Sequence, residues 1–205
     1  MKKQNSFRVT KRRWLLFLVV VSLTGCQVKQ ETPPPPPSPA PSPIQKPEVT
    51  ETPNDTSDGQ ATATTKIYDK SPERTQNIIL AIHAIDKTQL QPGEEFSFNQ
   101  TVGDRTPEKG YQKAIGFDEN GEKKPTFGGG ICQVASTLYM AAKNGGFTIT
   151  ERHSHSHKVP YADSDNDATV SYGGYDFKFK NNRDKPIIIS VFLDENTVTV
   201  QITPS

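Results

Sequence analysis

One cysteine of this chain lies where a thiol could act as a nucleophile. Cys132 follows three consecutive glycines at positions 128–130, and residues 131–142 carry apolar side chains at helical spacing. A helix beginning here would place Cys132 in its first turn, where exposed N–H groups and the helix dipole stabilise a thiolate. The glycines would let a ligand approach the backbone closely. The pattern favours a cysteine that attacks a carbonyl group, and a buried cysteine that only packs is the alternative.

The residues around Cys132 could also stabilise the negative oxygen of a tetrahedral intermediate. The backbone N–H groups of Gly129 and Gly130 and the side chain of Gln133 are candidate donors for such an oxyanion hole. A glutamine without any role on the helix surface fits the pattern equally well. A phosphate-binding loop is not favoured, because the glycines lack the lysine and hydroxyl spacing of that motif.

Three of the four histidines fall together, at every second position. His153, His155 and His157 would share one face of a strand, so one imidazole could act as general base for the thiol. Asp167 could orient that ring from its other nitrogen, which gives the chain order Cys, His, Asp. Zinc binding by the same histidines is the competing hypothesis. No clear fourth ligand follows a known zinc spacing, so we predict no metal and no cofactor.

Two helices and a run of strands are predicted to position these residues. Ser71 and Pro72 open a helix over residues 72–88, and the second helix runs from residue 131 to the glycines at 145 and 146. Alternating polar and apolar residues predict strands at 95–99, 147–152, 168–172, 176–180, 186–193 and 197–203. Helices followed by antiparallel strands predict a single compact α+β domain, with two main helices packed on a mostly antiparallel sheet.

The amino terminus has the pattern of an export signal. Six basic residues precede an apolar run at residues 14–21, and Leu23-Thr24-Gly25-Cys26 follows. This tetrapeptide resembles the lipobox of bacterial lipoproteins, which implies cleavage before Cys26 and a diacylglycerol on its sulfur. A free cysteine behind an ordinary secretory signal, or an uncleaved anchor, is the alternative. Residues 1–25 are therefore predicted to be a lipoprotein signal peptide.

The next segment is predicted to be a spacer. Ten of the 17 prolines lie between residues 31 and 60, and the apolar content of the chain is only 32%. Such a segment cannot bury a core, so residues 26–66 are predicted to be a disordered Pro-, Thr- and Ser-rich linker that precedes a domain at 67–205. With lipidated Cys26 this predicts a domain anchored to the outer face of the bacterial cytoplasmic membrane, or to the outer membrane of a diderm.

Charge and cysteine number restrict the partners further. Cleavage would remove six of the 24 Lys and Arg and none of the 23 Asp and Glu, which leaves an acidic chain. No basic surface for nucleic acid is expected. Cys26 and Cys132 are the only cysteines, so lipidation of Cys26 would leave Cys132 without a disulfide partner.

Several blocks of the sequence are similar to one known family. The stretch GGGICQVASTLY at residues 128–139 resembles the signature of the VanW family, which is named from vancomycin-resistance clusters. Further blocks resemble family blocks in the same order, at residues 90–99, 102–106, 110–111, 151–156 and 167–173. The resemblance extends over about residues 73–192 and thus over nearly all of the predicted domain.

The resemblance implies an activity. Some members of the family are regarded as L,D-transpeptidases, which form 3-3 cross-links in peptidoglycan through an active cysteine. By resemblance that cysteine is Cys132. His155 is the preferred base, because its His-Ser pair matches the family's Arg-His-Pro-His-Ser best, and His153 is the second candidate. Here Ser154 replaces the proline, and His157 is additional.

Peptidoglycan stem peptides are therefore the expected partners, together with the membrane through the lipid anchor. Arg105 is a candidate for binding a substrate carboxylate, since a guanidinium binds carboxylates bidentately, and a surface arginine in a turn is the alternative. A peptidase or amidase on the same wall peptides would share the acyl-enzyme and differ only in the acceptor. A non-catalytic wall-binding lipoprotein, in which Cys132 merely packs, is the remaining hypothesis.

Overall fold

The structure is a computed structural model that describes residues 60–117 and 122–205. The predicted signal peptide, Cys26 and most of the predicted linker lie outside the described residues. The elements are β1 Ala61–Lys66, α1 Pro72–Ile85, β2 Thr88–Leu90, β3 Glu95–Ser97, α2 Phe98–Val102, a 3-10 helix Pro107–Lys109, β4 Lys113–Phe117, β5 Lys123–Phe127, α3 Ile131–Asn144, β6 Thr148–Glu151, β7 Lys178–Lys180, β8 Ile187–Leu193 and β9 Thr197–Pro204.

The strands form antiparallel sheets against which the helices pack. The largest sheet has the order β1-β9-β8-β2, a second has the order β3-β7-β6, and β4 pairs with β5 in a hairpin. Helix α3 contacts β1 and β9, and α1 contacts β8 and α3. This confirms the predicted α+β domain with two main helices on antiparallel sheet. Within the described residues, no helix is long and apolar enough to cross a membrane.

The core lies between the four-stranded sheet and the two long helices. Alternate residues of β8 and β9 point into it, and Ile189, Val200 and Ile202 are fully buried. Helix α1 contributes Ile78 and Ile85 from one face. Burial of each such side chain stabilises the fold by roughly 1.5–3 kcal/mol before entropy costs.

The predicted linker extends too far into the domain. Residues 61–66 are not linker but form β1, an edge strand that pairs with β9 along its whole length. Ala61, Ala63 and Thr65 face the core, while the residues between them face outward. The segment consists of Ala, Thr and one Lys and has no large apolar residue, and its pairing partner lies at the other end of the domain, so local composition gave no clear signal for a strand.

Two further predictions are wrong in the region around the histidines. Residues 168–172 do not form a strand, because the N–H of Ala168 donates to the side chain of Ser136 and the N–H of Thr169 to the carbonyl of His153. The strand predicted at 147–152 ends at Glu151, and the histidine segment after it is a loop. The residue types alternate as in a strand, but a serine side chain and a loop carbonyl bind this backbone instead of a neighbouring strand.

The first helix and the strand after it end earlier than predicted. Helix α1 ends at Ile85 instead of residue 88, because Thr88–Leu90 pairs with β8 as β2. The strand predicted at 95–99 ends at Ser97, whose hydroxyl accepts the N–H of Gln100 and caps the short helix α2.

Candidate active site

The three glycines bring Cys132 to the start of α3. Gly130 is the N-cap residue with φ of 112°, a left-handed conformation that favours glycine, and no side chain caps the helix. A Cβ on Gly129 would lie 2.3 Å from the carbonyl oxygen of Ala114, so this position also requires glycine. Cys132 therefore lies in the first helical turn, where N–H groups point away from the helix, as predicted.

A histidine and an aspartate stand beside the thiol. The Nδ1 of His155 lies 2.5 Å from Oδ2 of Asp167, and the backbone N–H of His155 donates to the same oxygen at 2.8 Å. The imidazole also interacts with the Cys132 thiol, whose sulfur lies 3.6 Å from the carbonyl oxygen of Val170 and 4.0 Å from Oγ1 of Thr169. Since Nδ1 is held by Asp167, Nε2 is the nitrogen left for the sulfur. The structure thus brings together Cys132, His155 and Asp167, which the sequence analysis had named as one set.

In the pair of Cys132 and His155, the pKa of each group is shifted towards its charged form. Burial alone would raise the pKa of the Cys132 thiol, but the hydrogen bond and the positive charge of His155 outweigh it and lower that pKa. Burial acts against the charged imidazole as well, yet the hydrogen bond to Cys132 and the contact with Asp167 raise the pKa of His155. This arrangement promotes a thiolate beside an imidazolium, which is the form that attacks carbonyl carbon.

Asp167 is itself fixed by an arginine that the sequence analysis had not assigned. Its carboxylate is only 2% exposed, and its Oδ1 accepts a hydrogen bond of 2.6 Å from Nη2 of Arg152. The Nε of Arg152 donates to the carbonyl of Asp167 at 2.7 Å. Because both carboxylate oxygens are bound, Asp167 can hold the imidazole in one orientation.

Ser136 connects the helix that carries Cys132 with the segment that carries Asp167. Its hydroxyl donates to the carbonyl of Cys132 at 2.8 Å and accepts the N–H of Ala168 at 2.8 Å. The side chain is completely buried. Its place one turn after Cys132 on α3 is the signal by which sequence reasoning could have found it.

Asn77 holds the glycine loop from the opposite side. Its Nδ2 donates to the carbonyl oxygens of Gly129 at 3.0 Å and Gln112 at 2.9 Å, and its Oδ1 accepts the N–H of Gln112. Asn77 is fully buried on α1 next to Ile78. The only signal in the sequence was a polar residue on the apolar face of a helix, and this signal does not indicate which groups Asn77 contacts.

The other two histidines of the cluster turn elsewhere. The Nε2 of His153 lies 3.1 Å from Oε1 of Glu151, and its ring packs on Tyr175 with centroids 4.6 Å apart. His157 stacks on Phe117 at 5.9 Å. The prediction that the three rings share one strand face is wrong, because β6 has ended and the N–H of His155 binds Asp167 instead of a neighbouring strand.

Two of the predicted oxyanion donors are already occupied. The Nε2 of Gln133 donates to Thr65 Oγ1 and to the carbonyl of Lys66, which ties α3 to β1. The N–H of Gly129 donates to the carbonyl of Thr126 at 3.2 Å. The oxyanion role predicted for these two groups is therefore wrong, since their hydrogens serve the fold. Gly130 lines the cleft at the helix start, beside the first-turn N–H of Cys132.

Cys132 opens into a cleft of about 1330 Å³. The β4–β5 hairpin supplies one wall and residues 169–175 supply another. Exposed aromatic rings stand on the lining, among them Tyr68, Phe127, Tyr172 and Tyr175. Arg105 lies in the same lining, where its Nη2 donates to Asn99 Oδ1 at 2.8 Å. Such a cleft can hold an extended peptide with apolar and anionic groups.

A metal site among the histidines has no support within residues 60–117 and 122–205. No group of three His, Cys, Asp or Glu side chains there is arranged to hold a metal ion.

Comparison with known proteins places the chain in a family. The profile of the family described as VanW like protein matches residues 73–203, which is more than half of the chain. The chain belongs to the VanW-like family. This confirms the resemblance on which the sequence analysis relied, and the VanW-like match contains Cys132, His155 and Asp167 together with every helix and strand from α3 to β8.

Two curated relatives agree with this family. The uncharacterized protein YoaR of Bacillus subtilis is 49% identical over 116 residues, which are 57% of this chain and 38% of that protein. The vancomycin B-type resistance protein VanW of Enterococcus faecalis is 31% identical over 131 residues, which are 62% of this chain and 47% of that protein. The chain thus spans less than half the length of either relative. No solved structure matches it significantly.

Proposed function

We propose that this VanW-like domain is a cysteine acyltransferase that acts on peptidoglycan stem peptides, as an L,D-transpeptidase forming 3-3 cross-links. The single observation that carries the proposal is the Cys132 thiol at the start of α3, together with His155, whose ring Asp167 holds, on the lining of an open cleft. The family resemblance supplies the substrate class. The relative named for vancomycin resistance supports a function connected with the cell wall.

Acylation uses the separated charges of the pair. The Cys132 thiolate attacks the carbonyl carbon between the diamino acid and the terminal D-Ala of a tetrapeptide stem. The oxygen becomes negative, and the backbone N–H of Cys132 in the first turn of α3 is the donor that would stabilise that charge. When the C–N bond breaks, the His155 imidazolium gives its proton to the leaving amine. The products are free D-Ala and a thioester on Cys132.

Deacylation reverses the direction of proton transfer. The side-chain amine of a neighbouring stem gives a proton to neutral His155 and attacks the thioester carbonyl. A new amide bond forms, the C–S bond breaks, and the thiolate and imidazolium are restored. Asp167, held by Arg152, keeps Nδ1 engaged through both steps, so that Nε2 faces the reacting atoms.

Export and anchoring through Cys26 form part of the same proposal. The predicted signal and lipobox would place the domain outside the cytoplasmic membrane, where the wall peptides are. Metabolic labelling of the expressed chain with a radiolabelled fatty acid tests this point. Label is expected in the wild type and absent from Cys26→Ala, and equal labelling of both chains would contradict the anchor.

The experiment that tests the activity is intact mass spectrometry of the chain after incubation with disaccharide tetrapeptides. Wild type is expected to gain the mass of a stem lacking D-Ala and to yield cross-linked dimers. Cys132→Ala should do neither, and His157→Ala, altered in the same loop but away from the thiol, should behave as wild type. D-Ala release with only tripeptide product would establish a carboxypeptidase instead. Absence of adduct and product from wild type would contradict an acyltransferase and leave a binding module.

A further inference from the structure

Arg105 is a half-buried cation whose charge has no carboxylate partner among the described residues. Its Nη2 donates to the amide oxygen of Asn99, a neutral group. Its Nη1 is buried and lacks any hydrogen-bond partner in the part of the chain that the structure describes. Buried charges are normally paired, because removing them from water is costly. The guanidinium is therefore arranged for an anion that residues 60–117 and 122–205 do not supply.

The nearby acidic side chains are bound elsewhere. Asp104, the preceding residue, pairs with Lys109. Asp176 accepts hydrogen bonds from the hydroxyl of Ser97 at 2.6 Å and from the backbone N–H of Asn99 at 2.8 Å. Burial lowers the pKa of the Arg105 guanidinium, and the Cys132 thiolate is foremost among the charges that oppose this shift. Arg105 thus lies within electrostatic reach of the sulfur.

The guanidinium is also held rigidly. It lies over the rings of Phe98 and Tyr172, each 5.8 Å from the guanidinium carbon, and Asn99 fixes one of its nitrogens. Phe98 is fully buried, whereas Tyr172 is 59% exposed at the wall of the cleft. A fixed planar guanidinium suits a carboxylate, which it can bind through two parallel hydrogen bonds.

We infer that Arg105 is the receptor for the terminal carboxylate of the donor peptide, so that the site selects stems ending one residue after the scissile carbonyl. This inference rests on the proposed function for the identity of the peptide. The anion site itself follows from the buried, unpaired Nη1 of Arg105 in the cleft that Cys132 also lines. A longer stem would carry its carboxylate past Arg105 and leave the buried nitrogen unpaired.

Alkylation of Cys132 tests the anion site without any peptide substrate. Iodoacetate carries a carboxylate where iodoacetamide carries a neutral carboxamide. Both reagents alkylate the sulfur through the same carbon. In the whole chain, with Cys26→Ala so that only Cys132 reacts, the rate ratio of iodoacetate to iodoacetamide should exceed that of free cysteine. Arg105→Gln, which can still bind Asn99, should lower the ratio roughly tenfold. Arg105→Lys should retain part of it.

A control variant that removes a different cation distinguishes a specific carboxylate site at Arg105 from the general positive potential of the cleft. Lys123→Gln removes another cation from the cleft lining and should leave the ratio within about twofold of wild type, because this exposed amine is not aimed at an anion site. If Arg105→Gln slows both reagents equally, Arg105 only supports the thiolate and the inference is overturned. An unchanged ratio in a variant that melts at the wild-type temperature would overturn it too.

Donor peptides then test the selection itself. With tetrapeptides ending in a carboxylate or a carboxamide, wild type should acylate faster with the acid, mainly through a lower KM, and Arg105→Gln should lose this preference. Equal preference in both proteins would contradict the assignment of the donor carboxylate. If no peptide acylates wild type while the iodoacetate preference depends on Arg105, the proposed transpeptidase fails and the anion site stands.

Discussion

The four-stranded sheet and the cleft are held together by different kinds of interaction. Residues of β8 pair one to one with β9 over the full length of β8, and alternate Ile and Val side chains are buried. Between β6 and β7, residues 152–177 form no regular strand. There, the side chains of Ser136, Asp167 and Asp176 accept hydrogen bonds from the backbone N–H groups of Ala168, His155 and Phe177, which a sheet would otherwise pair.

Because of this difference, we expect the sheet to determine the stability of the fold and the cleft contacts to determine the reactivity of Cys132. Apolar burial in the sheet is non-directional, so its loss should cost folding free energy without changing the thiol. The polar contacts of the cleft are directional and buried, so their loss should displace the groups that set the ionisation of Cys132. Substitutions in the two regions should therefore give distinguishable effects, and the following predictions compare them.

The largest effect is expected at His155. His155→Ala should lower the rate of Cys132 acylation by about 10²- to 10⁴-fold, because the thiol loses its base and its stabilising cation. The measurement is the single-turnover acylation rate with a disaccharide tetrapeptide. His157→Ala is the control and should stay within a few-fold of wild type. Equal losses in both variants would contradict the assignment of the base.

Truncation of a side chain in the core of the four-stranded sheet should instead lower the stability of the fold. Ile189 is fully buried in β8, so Ile189→Ala should lower the free energy of unfolding by about 2–5 kcal/mol. Urea unfolding followed by circular dichroism measures this loss. The iodoacetamide rate of Cys132 in the folded fraction should not change. A large fall in that rate would show that the two regions are coupled.

Ser136→Ala should have a smaller effect, which lowers both the free energy of unfolding and the reactivity of Cys132. Loss of the hydroxyl leaves the N–H of Ala168 and the carbonyl of Cys132 without this partner, at a cost of about 1–3 kcal/mol. The Cys132 alkylation rate should fall as well, because the segment with Asp167 and Thr169 is released. Ser190→Ala on β8 is the matched control, with an expected change within about 0.5 kcal/mol. If both variants have the same free energy of unfolding and the wild-type alkylation rate of Cys132, Ser136 does not position the site.

The sequence predicted the parts of the fold that local pattern determines. The apolar spacing of residues 131–142 indicated α3, and alternation indicated β8 and β9. The strand β1 was missed because its partner is the last strand of the domain and its composition continues the linker. Residues 168–172 had the alternation of a strand, but Ser136 and the His153 carbonyl bind their backbone, and no local pattern encodes such long-range contacts.

The site was predicted as far as residue chemistry and family blocks reach. The glycines pointed to Cys132, and His155 and Asp167 were the expected companions of a thiol. The roles of Gln133 and Gly129 were misjudged, because their donors serve contacts with Thr65 and Thr126 that only the fold reveals. The support from Asn77 and Ser136 was missed for the same reason.

The central claim is that His155 holds Cys132 as a thiolate, and the pH dependence of Cys132 alkylation by iodoacetamide tests it most directly. A thiol with a lowered pKa ionises at lower pH, so the rate in wild type should rise with a midpoint below 9.0, the ordinary value of a thiol. In His155→Gln, burial is no longer opposed by the charge of His155, and the midpoint should rise above that of wild type. A wild-type midpoint at or above 9.0, unchanged in His155→Gln, would contradict the account.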